Sequence, residues 1–177
     1  MAAPVPDDLA ESFQPLVGMA VTIRPLRPED IDIETAFVHG LSPESRHNRL
    51  LGGTIAITRE YLERLTRIDY SRDMALAATL MLETEILIGV ARYVRDAEGD
   101  AAEFAIVVAD TWHGRGIGKR LLERLATIAR KRAVRRLYGD ILSINRPMLG
   151  LVQKLGFVLS RNPDDPALTR AILEIKK

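Results

Sequence analysis

Of the 177 residues, 47% are apolar and 28% charged, a composition that supports one buried core and argues against a disordered chain. Lys+Arg 25 against Asp+Glu 24 leaves a net charge of +1, so charge gives no case for a nucleic-acid or membrane-surface protein. Cysteine is absent, and His39, His47 and His113 have no metal-binding spacing. Disulfides, thiolate nucleophiles and cysteine-based metal sites are therefore excluded, and no metal is expected. No apolar run reaches the roughly 18 residues that a membrane span needs, and no secretory signal opens the chain, so a cytoplasmic protein is expected.

Residues 1–18 are Pro-rich and acidic and predict a partly ordered N-terminal arm, followed by a single domain over 19–177. Val21 and Ile23 alternate with Thr22 and Arg24, the period of a half-buried strand. Pro28-Glu29-Asp30 and Ser42-Pro43-Glu44 each read as a helix start, with Gly52-Gly53 as the stop of the second helix. Thr58 caps a third, whose apolar side is Tyr61, Leu62, Leu65 and Ile68. Three strands follow at 74–81, 86–94 and 102–109, and their short connections predict antiparallel neighbours. Ile117, Leu121, Leu122, Leu125, Ile128 and Ala129 form one face of a long helix over 117–133. A strand over 137–144 is weakened by Gly139 and Asp140. A helix over 145–155 stops at Gly156, and strands at 157–159 and 168–175 flank a turn at 162–166. The order predicts a mixed α/β sheet with helices on its faces.

The segment His113-Gly114-Arg115-Gly116-Ile117-Gly118-Lys119 joins a strand to the long helix. Alternating glycines let successive backbone N–H groups converge, and the helix N-terminus adds partial positive charge. Arg115, Lys119 and Arg120 add full charges, so the turn reads as a phosphate cradle. A Walker A loop would need Gly at His113 and Ser or Thr at Arg120; a dinucleotide fingerprint would need Gly at Lys119.

These residues resemble the GNAT superfamily of N-acetyltransferases, whose Gln/Arg-x-x-Gly-x-Gly/Ala turn binds the pyrophosphate of acetyl-CoA. His113 stands where the family has Gln or Arg. Asn145-Arg146-Pro147-Met148, followed by Gln153-Lys154-Leu155-Gly156-Phe157, is similar to a second family segment. The resemblance implies the GNAT fold, a mostly antiparallel central sheet of about seven strands flanked by helices. It also implies acetyl-CoA as co-substrate, held by Ile106, Val107, Val108, His113, Gly114, Arg115, Gly116, Ile117, Gly118, Lys119 and Asn145. His113 would act through its backbone N–H, Val108 N–H would stabilise the oxyanion, and Asn145 would bond the pantetheine arm, a role compatible with plain helix capping.

Glu103 is the only acid of its strand before Asp110. Beside apolar neighbours its pKa could rise by desolvation, which suits a general base; the alternative is a solvent-facing strand residue. A narrower resemblance bears on this. Residues 23–30, 41–46, 68–76 and Ala102-Glu103-Phe104-Ala105 are similar to the acetyltransferase domain of bacterial Pat-type protein-lysine acetyltransferases. That resemblance implies Glu103 as catalytic base and a protein lysine as acceptor. Many GNAT enzymes carry a Tyr, which protonates the leaving thiolate, where this chain has Val152; the Pat group often lacks it. The group commonly joins its acetyltransferase to a larger regulatory domain, for which 177 residues leave no room.

Two other readings stay open: a small-molecule amine acetyltransferase, and a non-catalytic CoA-binding sensor. The basic run Arg130-Lys131-Arg132 with Arg135-Arg136 reads as a helix C-terminus favouring cations, or as a contact for the CoA 3′-phosphate. Arg46, His47 and Arg49 line an acceptor entrance or form a solvated helix face, and Trp112 is a packing anchor. The resemblance allows a homodimer, and neither nucleic acid nor membrane is expected as partner.

Overall fold

The computed structural model describes residues 4–176. Eight strands form one sheet: β1 (Glu11–Leu16), β2 (Met19–Pro25), β3 (Met74–Met81), β4 (Glu85–Arg95), β5 (Ala101–Val108), β6 (Arg136–Leu142), β7 (Val158–Arg161) and β8 (Leu168–Glu174). Five helices pack on it: α1 (Ile31–Gly40), α2 (Pro43–Arg49), α3 (Arg59–Thr66), α4 (Ile117–Lys131) and α5 (Arg146–Lys154). The strand order is β1-β2-β3-β4-β5-β6-β8-β7. Among the described residues only β5 and β6 pair in parallel, across the α4 crossover that a parallel pair requires.

The sheet divides the core in two. Met74, Leu76, Tyr93, Phe104 and the buried side of α4 pack on one face. Phe37, Leu62, Ala75, Ala77 and Val90 pack under α1 and α3 on the other. β3 is buried at every residue from Met74 to Leu80, because both faces of this central strand are covered. At Ile88 the β3–β4 register slips by one residue, a bulge that lies beside the end of β5.

One strand was hidden in the sequence. Residues 11–16, expected in a partly ordered arm, form edge strand β1 against β2. Pro15 interrupts the apolar alternation, yet an edge strand tolerates proline. Distant contacts secure β1. Glu11 accepts from Arg120 at 3.0 Å and lies 3.6 Å from Arg124, while Arg120 sits over the Phe13 ring. Arg120 is thereby drawn away from the glycine turn, where the sequence had suggested it.

Gly139 and Asp140, expected to weaken β6, have specific partners instead. Asp140 makes a bidentate pair with Arg170 across to β8, both bonds 2.9 Å. A Cβ on Gly139 would lie 2.8 Å from the Phe104 carbonyl oxygen and 2.9 Å from its ring. Phe104 in turn packs on Phe157, centroids 5.0 Å apart. Gly139→Ala therefore overpacks the core, and a destabilisation of about 1–3 kcal/mol is expected in urea unfolding.

Candidate active site

The β5–β6 pair is short. Register holds only from Ala101 opposite Arg136 to Glu103 opposite Tyr138, and beyond Glu103 the strands part. On its other edge β5 stays paired with β4 through Val108. Ala109 N–H donates to Ile88 O at 2.8 Å. Antiparallel alternation then gives Val107 and Ala105 to β4, while the backbone groups of Ile106 and Val108 face the opened gap. The Ile106 groups and the Val108 N–H, unpaired beside a cavity, offer a strand-like ladder to a ligand with amide groups.

A cavity of about 720 Å³ fills this gap. It is lined by Glu103, Ile106, Val107, Val108, His113, Gly114, Gly116, Ile117, Gly118, Lys119 and Asn145. Of the candidate residues, Arg115 alone lies outside it, with its guanidinium 4.9 Å from the Trp112 ring centroid. Gly114 and Gly116 have φ of 71° and 81°, a left-handed conformation that side chains resist. A Cβ at either would meet nothing within 4 Å, so the cradle is open. α4 begins there without an acid in its first turn and without a side-chain cap. Its first N–H groups have no intrahelical acceptors and point toward whatever occupies the turn. A chain of amide groups ending in a pyrophosphate fits this site: free strand groups, then a glycine cradle on a helix N-terminus with Lys119 beside it.

The family model for the GNAT acetyltransferases matches residues 47–157. The chain belongs to the GNAT acetyltransferase family. This GNAT chain is 38% identical over 149 residues to an acetyltransferase of Pseudomonas aeruginosa, covering 84% of this chain and 80% of that protein. It is 30% identical over 142 residues to the acetyltransferase Pat of Mycolicibacterium smegmatis, covering 78% of this chain but 41% of that protein. Its fold superposes on the GNAT domain of S. lividans PAT with a TM-score of 0.84, at 25% identity, over 97% of this chain and 99% of that one.

Several GNAT positions differ from the sequence reading. The His113 backbone N–H, expected on the pyrophosphate, donates to Asp110 O at 3.2 Å. The His113 ring instead bonds the Val108 carbonyl through Nε2 at 2.8 Å. A carbonyl only accepts, so Nε2 carries the proton, and the ring braces the turn against β5. Val107 lines the cavity with its side chain alone. Glu103 is exposed, so the desolvation expected there does not occur. It is the last β5 residue paired with β6, placed where the strands part. Val108 lies five residues on, about 17 Å along the strand. Asn145 caps α5, accepting from Met148 N–H at 3.3 Å, and among the described residues nothing accepts from its amide NH₂. Val152 is fully buried in the core.

The basic run lies at the far end of α4, about 20 Å from the cradle, and none of its residues lines the cavity. Arg132 donates to the Tyr70 and Asp73 carbonyls, and Arg136 pairs with Glu174 at 2.7 Å. These cations brace strands and a loop. Arg46 and His47 line a second cavity of about 350 Å³, which shares Arg49 and Tyr61 with the first.

Of the cavity's further wall the sequence had suggested only Arg49. Arg92 from β4, Tyr61 and Leu65 from α3, and Glu44, Ser45 and Asn48 from α2 line the cavity with it. Behind them Glu34 of α1 is 0% exposed, 3.7 Å from Arg49 and 4.0 Å from Arg92. Burial raises the Glu34 pKa against the pull of both arginines. Burial also lowers that of Arg92, with Glu34 opposing. A helix-face acid and a strand arginine carry no sequence signal that they will meet.

α2 is fastened to the cradle side by Asp110. Its carboxylate accepts from Ser42 N–H at 3.0 Å, Ser42 Oγ at 2.6 Å and Ser45 Oγ at 2.7 Å. Partial burial opposes ionisation, but these bonds win and hold the pKa at about 2. Because the folded value is depressed, the stabilisation is present above the ordinary aspartate value of about 3.9 and lost as pH falls through the folded value of about 2. Protection of the amides of 44–49 against hydrogen exchange should be lost over that window. In Asp110→Ala the same amides should exchange fast already at neutral pH, with α4 unchanged.

Proposed function

We propose that this protein transfers the acetyl group of acetyl-CoA to a primary amine, in the first instance a protein lysine side chain. The observation that carries the reading is the parting of β5 from β6. It frees the Ile106 backbone and the Val108 N–H between a phosphate cradle at one end and a carboxylate at the other. In this reading the cradle 114–119 holds the pyrophosphate, the Val108 N–H and the Asn145 amide hold the pantetheine arm, and the thioester reaches toward Glu103. Ile106, three residues from Glu103, replaces Val108 as the oxyanion donor, because its N–H is the one of the two nearer the base.

A lysine amine has pKa near ~10.4 in water and must lose a proton before it attacks. Glu103 accepts that proton, through a water across the remaining distance. The neutral nitrogen bonds to the carbonyl carbon, the oxyanion collapses, and the C–S bond breaks to leave CoA thiolate. With Val152 where a Tyr acid would stand, the surplus proton on the attacking nitrogen passes through water to the thiolate, giving the amide and CoA thiol, and Glu103 returns its own proton to solvent. The protein-lysine acceptor rests on the resemblance of 23–30, 41–46 and 102–105 to the Pat group, and the overall likeness to S. lividans PAT supports it. The experiment is a panel of lysine peptides, polyamines, amino acids and aminoglycosides, scored by CoA release and product mass. Fastest transfer to lysine Nε is expected. Transfer only to polyamines or aminoglycosides would replace the lysine reading with the small-amine one.

A further inference from the structure

We infer that the acceptor is recognised through a carboxylate lying about one lysine side chain from its reactive amine, bound by Arg49 and Arg92. The inference rests on the acetyl-transfer reading and names its substrate class. Both arginines are lining residues of the cavity, and their side chains are only 14% and 16% exposed. Two cations share one buried anion, Glu34, at distances too long for hydrogen bonds. Arg92 Nη1 is spent on the Leu65 carbonyl at 3.1 Å. Arg92 Nη2 and both Glu34 carboxylate oxygens are buried and make no hydrogen bond. A buried guanidinium N–H without an acceptor is costly, and a bidentate carboxylate satisfies it.

The surroundings select an anion. Four acids line the cavity: Glu44, Glu103, Asp110 and Asp140. Asp110 is held by Ser42 and Ser45, and Asp140 by Arg170. Glu44 sits exposed in the first turn of α2. Glu34 therefore offsets one of the two arginine charges; of the four acids Glu103 alone is left to face the other, and in the transfer reading it is taken up by the acceptor's amine. The placement also fits. Arg92 stands opposite Ala105 on β5, with Cα atoms about 5.5 Å apart. Glu103 is two residues further on, on the same face of the sheet and about 7 Å away. An amine at Glu103 and a carboxylate at Arg92 are thus separated by about the length of a lysine side chain. Two sources supply that chemistry: the α-carboxylate of a free amino acid, and an acidic side chain beside the acceptor lysine in a polypeptide.

The test compares matched acceptors in the intact protein with acetyl-CoA. One pair is Nα-acetyl-lysine and its carboxamide; the other is a peptide with Asp beside the lysine and the same peptide with Asn. For wild type the carboxylate member of at least one pair should show kcat/KM about tenfold higher, with the gain in KM. Preference in the first pair assigns a free amino acid, and in the second an acidic peptide. In Arg49→Gln the ratio should fall toward one. Arg92→Gln alone strands the Glu34 charge and can prevent folding, so Glu34→Gln with Arg92→Gln is the second variant, with the same expectation. A wild-type ratio of one in both pairs overturns the inference even if no variant folds, and so does a ratio that survives in both variants. If no amine is acetylated, the transfer reading fails by itself. The inference is then decided by unfolding temperature in the presence of CoA. Protection by Nα-acetyl-lysine but not its carboxamide supports it, and equal or no protection overturns it.

Discussion

Glu103→Gln should lower kcat by roughly 10²–10⁴-fold, the range for loss of a general base, while affinity for acetyl-CoA stays within about twofold. The side chain is exposed at the point where β5 leaves β6, away from the cradle residues, so the amide should cost neither fold nor cofactor binding. Steady-state kinetics and a titration with acetyl-CoA check both effects. Unchanged turnover would remove Glu103 from the chemistry and leave the amine to be deprotonated before it binds.

Gly116→Val should weaken acetyl-CoA binding by about 10²-fold or more, measured by titration calorimetry. Gly116 holds φ at 81° and lines the cavity. A β-branched residue there either costs about 1–2 kcal/mol of backbone strain or resets φ and turns the neighbouring N–H groups away. Losing two charge-assisted bonds to phosphate, each about 1.5–3 kcal/mol, accounts for the drop. No protein atom lies within 4 Å of a Cβ built at this position, so the variant should still fold. Loss of affinity with an unchanged circular dichroism spectrum separates a binding defect from unfolding.

The features legible in the sequence are those written locally. β3 is bounded by residues 74 and 81 as expected, and the six apolar residues of α4 are all buried. Thr58 caps α3 and Ser42 caps α2 through their side chains. The glycine turn and the carboxylate before it were also readable, because the spacing of each lies within one short segment. What stayed hidden depends on partners far along the chain. β1 needs Arg120 and Arg124, more than a hundred residues away. The parting of β5 and β6 is a property of long-range pairing, and it underlies the proposal that Ile106 rather than Val108 stabilises the oxyanion. Arg49 was readable only as one of three cations on a short helix. Its meeting with Arg92 over Glu34 needs the sheet, α1 and α2 together. Tyr61, expected in the apolar side of α3, stands in the cavity wall for the same reason.

On the proposed function, the gap that opens between β5 and β6 holds acetyl-CoA. The measurement that tests it most directly is the unfolding temperature with acetyl-CoA, CoA, ATP and NAD in parallel, using protein freed of bound ligand. At ~100 times its Kd a ligand adds roughly 2.7 kcal/mol, a rise of roughly 5–10 °C for a domain of this size. The account predicts that rise with both CoA species and little with ATP or NAD. No rise with either CoA species would contradict it.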